Sequence, residues 1–376
     1  MTLTEAFADL QDPRRGPAQR YDLREMVLMA LCAVLCGADT WVDVAEWSED
    51  NEVWLRRYLI LAHGTPSHDT FGRVFRVLDA TCFEKSFRCW IAGLVGAIDG
   101  VVALDGKTLC GSRDGPNTAL HMISAFATGS GLCLGQEGVR GKGHEIAGIK
   151  DLLDTLTLKG CIVTIDAMGC QTAIAQKILD QGGDYLLAVK DNQENLAKAL
   201  REFFDEGESA GFGRLQISHH QTIGKDHGRI ETRNHLWVSD LSWLDQPIRQ
   251  HWPKLTGVGM VERTREISGK CSIERAFYIG SKGIVDAESF AHAARTHWGI
   301  ENRLHWVLDV TFREDDCRVR KDHAPQNLSA LRKFALTLLR QDQQYPKRSL
   351  RNRRKTADRI PEYRDSLLGL ALREVI

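Results

Sequence analysis

The sequence lacks three features that would each point to a protein class: a large net charge, cysteines in CxxC pairs and a long apolar run. Its 376 residues contain 49 Lys and Arg against 50 Asp and Glu, so the net charge does not indicate a nucleic-acid partner. The ten cysteines include no CxxC pair, which predicts reduced thiols in a cytosolic protein. The longest apolar run, residues 26–36, is too short to span a bilayer. The first residues also lack the apolar core of a secretory signal, so we expect a cytoplasmic protein with no membrane partner.

Two apolar runs each lead into an aspartate. Residues 101–104 precede Asp105, and residues 161–165 precede Asp166. Each run predicts a buried strand with an acid at its carboxyl end. Neighbouring strands lie only ~4.8 Å apart, so two such ends can bring their carboxylates to one divalent ion. Taken alone, a pair such as Asp105-Gly106 is more often a turn than a ligand.

A third acid lies far downstream, in a segment with helical periodicity. Residues 295–310 predict one helix, with Glu301 at the margin of its apolar face. A carboxylate there is costly unless it is paired or binds a metal, and the three acids form an oxygen-only ligand set that suits Mg²⁺ or Mn²⁺. Two such ions ~4 Å apart support phosphoryl transfer, so the acids indicate cleavage and joining of nucleic-acid phosphodiesters. The apolar face consists of Ile300, Leu304, Val307 and Leu308.

Short motifs along almost the whole chain make it similar to a known family. The motifs are residues 12–15 (DPRR), 31–38 (LCAVLCGA), 64–71 (GTPSHDTF), 104–107 (LDGK), 144–146 (HEI), 164–171 (TIDAMGCQ), 190–193 (KDNQ) and 295–310. With them the chain resembles ISAs-type insertion-sequence transposases, the group of the H-repeat-associated proteins within the DDE transposase class. The resemblance implies an α/β fold with an RNase H-like mixed-sheet core, in which Asp105, Asp166 and Glu301 are catalytic and bind the metal. It also implies two Mg²⁺ or Mn²⁺ ions and a homodimer on double-stranded DNA.

Three positions depart from the wider class. Many of its members carry Tyr, Arg and Lys around the glutamate, where this chain has Ala294, His297 and Leu308. His297 can contact DNA or orient Glu301, whereas the lysine role has no evident occupant. The ISAs-type proteins share the His-Trp-x-Ile-Glu-Asn form, so the departure is expected as a trait of this subgroup.

The order of predicted elements divides the chain into five segments. They are a helical segment for DNA binding or association with the core, the first part of the core, a β-rich insertion, the second part with the glutamate helix, and a basic tail or helix. Asp22 and Ser67 are predicted helix caps. The turn at residues 64–66 favours a helix-turn-helix with Arg73 facing DNA, and a plain helical bundle is the alternative. In chain order the segments are residues 1–97, 98–191, 192–285, 286–345 and 346–376.

Candidate DNA contacts are spread over the chain. Residues 346–355 contain many cations and no acid, which provides phosphate attraction without base specificity, and a solvated basic helix is the alternative. Lys107 does not belong to a P-loop, because the glycine spacing is wrong, and it either faces a phosphate or forms a salt bridge. The candidates are Arg73, Lys107, Lys190, His297, Lys347, Arg348, Arg351, Arg353, Arg354 and Lys355.

These observations predict a DNA transposase associated with the nucleoid. It binds inverted-repeat ends and performs strand cleavage and strand transfer with two metal ions. Two alternatives stay open: a catalytically inactive DNA-binding relic of a transposase, and an RNase H-like metal-dependent DNA nuclease that cuts without joining.

Overall fold

The computed structural model describes residues 3–95, 98–115, 118–141, 143–226, 229–267 and 270–369. Its strands are β1 Gly100–Leu109, β2 Leu120–Ala127, β3 Leu132–Arg140, β4 Cys161–Ile165, β5 Asp184–Val189, β6 Ile217–Asp226, β7 Arg229–Val238, β8 Gly257–Ile267 and β9 Lys270–Gly280. Within the described ranges these nine strands form one sheet in the order β3-β2-β1-β4-β5-β9-β8-β7-β6.

Helices precede, interrupt and follow this sheet. One π-helix, Glu301–His305, lies between two α-helices near the carboxyl end. The α-helices are α1 Leu3–Ala6, α2 Leu23–Cys36, α3 Trp41–Asp50, α4 Glu52–Leu55, α5 His68–Val77, α6 Ala80–Val95, α7 Glu145–Asp154, α8 Thr172–Asp180, α9 Glu194–Ala210, α10 Gln246–His251, α11 Ala287–His297, α12 Trp306–Phe312, α13 Ala324–Gln341, α14 Leu350–Arg359 and α15 Pro361–Leu368.

The first five strands have the RNase H-like arrangement that the sequence predicts. β1 pairs antiparallel with β2 and β2 with β3, whereas β1, β4 and β5 run parallel to one another. The helix α7 connects β3 with β4, and α8 connects β4 with β5. Parallel neighbours need such crossover connections. The predicted α/β mixed-sheet fold is confirmed.

One expectation about β1 was wrong. Asp105 is not the last residue of its strand, because β1 continues to Leu109. The parallel pairing with β4 ends at Leu104 and Ile165, but the antiparallel pairing with β2 continues beyond it. Asp105 is therefore the first residue beyond the parallel part, and the antiparallel neighbour keeps the chain extended after it.

The predicted β-rich insertion is an extension of the core sheet. β9 pairs antiparallel with β5, from Leu186 opposite Gly280 to Val189 opposite Phe277. β8, β7 and β6 then follow as successive antiparallel neighbours. The insertion thus shares backbone hydrogen bonds with the first five strands, and α11 crosses from β1 and β4 onto β7 and β8.

The helix α13 connects the amino-terminal helices with the sheet. It contacts α2, α5 and α6 as well as β2 and β3, and nearly all of its residues are buried. A helix that is buried over most of its circumference needs packing partners on several sides. One continuous apolar core accordingly runs from Ala6 to Leu368, and the five segment boundaries stay predictions.

The amino-terminal helices begin where the sequence predicts. Asp22 caps α2, since its carboxylate accepts hydrogen bonds from the backbone N–H of Arg24 at 2.8 Å and of Glu25 at 3.0 Å. Ser67 precedes α5, but its hydroxyl contacts the Thr70 hydroxyl at 3.2 Å and makes no cap hydrogen bond. Arg73 is exposed on α5, as a DNA contact requires.

No single helix of the described residues is long and apolar enough to cross a membrane. The pair α2 and α3, bent by 96°, meets the length and composition requirement only when both helices are taken together.

Candidate active site

Two of the predicted acids lie on adjacent strands. The parallel register pairs Leu104 with Ile165, so Asp105 and Asp166 are the next residues along β1 and beyond β4. Both aspartates line a cavity of about 70 Å³ and also a larger cleft of about 460 Å³. The sheet register therefore brings together two carboxylates that are far apart in sequence.

Glu301 reaches the same cleft from a π-helical turn. Residues 295–310 are not one α-helix as predicted, because α11 ends at His297 and the π-helix begins at Glu301. The predicted apolar face is nevertheless correct, since Ile300, Leu304, Val307 and Leu308 are buried. Glu301 is exposed and lines the larger cleft with the two aspartates. Single π-helical turns often occur at functional sites, where they redirect a side chain.

The charges of Asp166 and Glu301 act on Asp105. The pKa of Asp105 is raised to about 7, mainly because burial disfavours its charged form. The negative charges of Asp166 and Glu301 raise this pKa further, and the hydrogen bond from the Gly106 backbone N–H opposes them. Like charges held this close carry an electrostatic cost that a divalent cation offsets.

The donor set fits Mg²⁺ or Mn²⁺. Within the described ranges no three His, Cys, Asp or Glu side chains are arranged to hold one ion together. Mg²⁺ usually binds to proteins through one or two carboxylates, with waters and substrate phosphates filling the other positions. Pairs drawn from Asp105, Asp166 and Glu301 meet that requirement with oxygen ligands.

His305 is a neighbour of Asp105 that the sequence argument did not identify. Its Nδ1 lies 3.4 Å from Asp105 Oδ2, and its buried Nε2 has no hydrogen-bond partner within the described ranges. Burial, reinforced by Lys333 and Lys107, lowers its pKa to about 4, so the ring is neutral near pH 7. His305 follows Glu301 by four residues, which on a helix places both side chains on the same side. This spacing was a signal that His305 lies near the acids.

His297 also lies in the larger cleft. Its Nδ1 is 2.9 Å from the Thr164 hydroxyl on β4, two residues before Asp166. Burial lowers the pKa of His297, and the charge of Asp166 opposes that shift. Lys190 is exposed and lines the same cleft.

Lys107 does not face solvent as a DNA contact would. Its ammonium group forms an ion pair with Asp309 and lies 3.2 Å from Glu314 and 3.3 Å from Asp315. The salt-bridge alternative is therefore correct, although the bridge is largely buried and not on the surface. The three acids lie in α12 and in the turn after it. They are far from Lys107 in the sequence, so no local pattern indicated the bridge.

The basic carboxyl-terminal segment is divided between the interior and the surface. Arg353 is buried and donates to the carbonyl oxygens of Leu339 at 2.7 Å and Pro346 at 2.9 Å. Arg354 is buried too, and its partners include the carboxylate of Asp39 at 2.8 Å. Both side chains are buried and not exposed as a DNA contact requires, because α14 packs against α2 and α13. The exposed candidates are Lys347, Arg348, Arg351 and Lys355.

A second cleft, of about 390 Å³, lies beside the acids and was missed by the sequence argument. It contains four arginines from β7, β8 and α11, and Glu301 and Trp298 line both clefts. No local sequence signal marks it, because its cations are dispersed over three elements. The arginines are Arg233, Arg263, Arg265 and Arg295.

Comparison with known proteins gives matches over most of the chain. The family described as "Transposase DDE domain" matches residues 73–338, and the "DDE_Tnp_1-associated" family matches residues 4–91. "Putative transposase YncI" of Escherichia coli O157:H7 is 38% identical over 345 residues, which cover 90% of this chain and 87% of the relative. "H repeat-associated putative transposase YhhI" of Escherichia coli K12 is 36% identical over 377 residues, covering 98% and 97%. A cryo-EM structure of a piggyBac transposase synaptic complex with hairpin DNA is similar at 10% identity and a TM-score of 0.41, over 98% of this chain and 80% of that one.

Proposed function

This chain belongs to the DDE transposase family, and from that premise we propose that it binds the inverted-repeat ends of its element and catalyses strand cleavage and strand transfer. The observation that carries the proposal is the convergence of Asp105, Asp166 and Glu301 on one cleft from three separate elements. Such carboxylate clusters suit metal-dependent phosphoryl transfer, in which positioning and charge neutralisation supply most of the rate.

We assign the three acids to metal binding. Asp105, Asp166 and Glu301 would hold two Mg²⁺ or Mn²⁺ ions through their carboxylate oxygens. When bound, these ions neutralise charge on the reacting phosphodiester and lower the pKa of the attacking water or hydroxyl. The rigid pairing of β1 with β4 keeps the two aspartates in place, and the π-helical turn presents Glu301 opposite them.

Cleavage and joining then differ only in the attacking oxygen. In cleavage a water oxygen forms a bond to phosphorus, and the bond from phosphorus to the 3′ oxygen breaks. In joining, the oxygen of the freed 3′ hydroxyl forms a bond to a phosphorus of the target DNA, and the bond from that phosphorus to the target's own 3′ oxygen breaks. The attacking hydroxyl gives up its proton, and the leaving 3′ oxygen takes one up. No covalent link to the protein is needed.

The same cleft offers groups that can hold DNA. Lys190 is positioned to meet a phosphate, and His297 to contact DNA or orient Glu301. Outside the cleft, Arg73 and the exposed cations of residues 347–355 add sequence-independent attraction. We expect the active form to be a homodimer that pairs two DNA ends.

The test is strand cleavage and joining on labelled DNA that carries the sequences flanking the gene. Mg²⁺ and Mn²⁺ are compared, and Asp166→Asn is compared with Asp180→Asn, a matched change at the exposed end of α8. We expect Asp166→Asn to reduce both reactions at least about a hundredfold, since even partners outside the ligand shell contribute 10–100-fold, while DNA binding is retained.

Each other outcome selects a different conclusion. Cutting without joining identifies a nuclease, and tight binding without either reaction identifies an inactive relic. Equal activity of the Asp166→Asn and Asp180→Asn proteins would refute the assignment of the acids. A monomeric protein–DNA complex by light scattering during turnover would refute the dimer.

A further inference from the structure

The arginine cleft, defined by Arg233, Arg263, Arg265 and Arg295, directly adjoins the acids. Arg233 lies on β7, Arg263 and Arg265 on β8, and Arg295 on α11, one turn and a half before Glu301. Arg263 and Glu301 line both this cleft and the cleft of the aspartates. An extended ligand can therefore pass from one cleft to the other without leaving the surface.

The cleft concentrates cations in a way that is unfavourable for the free protein. Arg233 and Arg263 are direct cross-strand partners, an arrangement that is destabilising for like charges. Glu231 is buried among them, forming an ion pair with Arg233 and lying 3.4 Å from Arg263 and 3.7 Å from Arg265. The buried carboxylate of Glu231 thus faces three guanidinium groups, and the exposed carboxylate of Glu274 lies 3.4 Å from Arg263. Arg295 adds a fourth guanidinium group to the cleft.

The effect of this crowding is visible on Arg233. Burial lowers its pKa, and the positive charges of Arg295, Arg263 and Arg265 lower it further, against the attraction of Glu231. This arrangement is therefore unfavourable for the stability of the free protein. An anionic ligand would offset the excess positive charge.

The chemistry of the lining indicates which anion. Guanidinium groups bind phosphate oxygens with two parallel hydrogen bonds, and they are more weakly hydrated than ammonium groups. Trp298, at the junction of the two clefts, is 40% exposed and presents a ring on which a base can stack. Cations that follow a backbone, combined with exposed aromatic rings, are the features of single-strand nucleic-acid sites.

We propose that the arginine cleft binds phosphates of the DNA strand that continues from the reacting phosphodiester. The inference rests on the proposed function, because it takes the acids as the place of reaction. Glu231 acts as the buried counter-charge that keeps three of the guanidinium groups in place. The cleft thereby fixes the direction in which a strand leaves the acids.

The experiment measures DNA binding without divalent ions, so that catalysis is not needed. The probes are a duplex that carries the sequence flanking the gene and one of its separated strands. Arg265→Gln and Arg295→Gln are compared with Arg249→Gln, an equal change of charge at an exposed position on α10. Affinity is measured over a series of salt concentrations, and thermal unfolding checks that each variant is folded.

We expect both cleft variants to bind more weakly than Arg249→Gln. The slope of log affinity against log salt should become shallower by about 0.7 for the single strand and about 0.9 for the duplex per lost phosphate contact. The loss should be the same for a duplex of scrambled sequence, since phosphate contacts carry no base information. Arg295 is exposed, so we expect Arg295→Gln to fold. This variant still tests the proposal if Arg265→Gln is unstable.

The outcomes separate the cleft from the catalytic proposal. Slopes and affinities of both cleft variants equal to those of Arg249→Gln overturn the phosphate site, whatever the cleavage assay shows. Weaker binding by the cleft variants, with no metal-dependent cleavage by the unsubstituted protein, retains the site and contradicts the proposed function.

Discussion

At the scale of single residues, Glu84 on α6 shows how burial makes a charge dependent on pH. Its side chain is buried and accepts a hydrogen bond from the backbone N–H of Gln136 at 2.9 Å. Burial raises its pKa from 4.5 to about 7, although Arg88 and Lys333 oppose the shift. The folded protein therefore retains a proton that the unfolded chain releases between pH 4.5 and about 7, so this residue makes stability fall as pH rises through that window.

Replacing Glu84 by Gln should remove this part of the pH dependence. When the pH is raised from 5 to 8, the free energy of unfolding of the variant should increase relative to that of the unsubstituted protein. The increase should be at most roughly 3 kcal/mol, since each pKa unit corresponds to about 1.4 kcal/mol. Urea unfolding at the two pH values measures the difference. Glu46→Gln, an exposed change on α3, is the control and should leave the dependence intact. An unchanged dependence in Glu84→Gln would show that the carboxyl is ionised in the folded state.

At the scale of elements, the position of Glu301 depends on how closely α11 packs on the sheet. Gly259 on β8 faces this helix, and a Cβ built there would lie 2.8 Å from the rings of Phe290 and Trp237. Only a residue without a side chain allows this approach. The π-helical turn follows α11 almost directly, so a displaced helix would displace Glu301.

We predict that Gly259→Ala destabilises the protein by about 1–3 kcal/mol through overpacking, and that it lowers the cleavage rate as well. Gly224→Ala on β6 is the matched control for stability, because a Cβ there meets nothing within 4 Å. Urea unfolding and the cleavage assay measure the two effects. Equal stability of the two variants would mean that α11 can withdraw without cost.

At the scale of the whole molecule, long-range packing separates structural cations from available ones. Arg354 binds the backbone oxygens of Val34 and Ala38 and the carboxylate of Asp39, and so connects the carboxyl-terminal helices to the amino-terminal ones. The next residue, Lys355, is exposed. Neighbouring cations in one basic run thus have different roles.

Replacing Lys347, Arg351 and Lys355 together by Gln should weaken DNA binding and leave the carboxylates of the candidate active site unchanged. Each cation that contacts a phosphate should contribute about 0.9 to the salt slope on a duplex. The control replaces Lys198, Arg249 and Lys282, which are exposed elsewhere on the molecule. Identical slopes for the two triple variants would exclude the carboxyl-terminal surface from DNA binding.

The sequence by itself determined the local features of this protein. Apolar runs predicted the core strands, Asp22 predicted the start of α2, and the spacing of the apolar residues around Glu301 predicted its buried face. These properties depend on residues close together in the chain, where side-chain periodicity and caps operate. The motifs likewise led to the family and to the RNase H-like order of strands.

Only the tertiary structure decided which charges face the solvent. Lys107 meets Asp309, and Arg354 meets Asp39, across separations that no local pattern encodes. The arginine cleft arises in the same way, because the register of β7 against β8 places Arg233 opposite Arg263. Burial and pairing of a charge are set by whatever packs against it, and for these residues the packing partners come from distant parts of the chain.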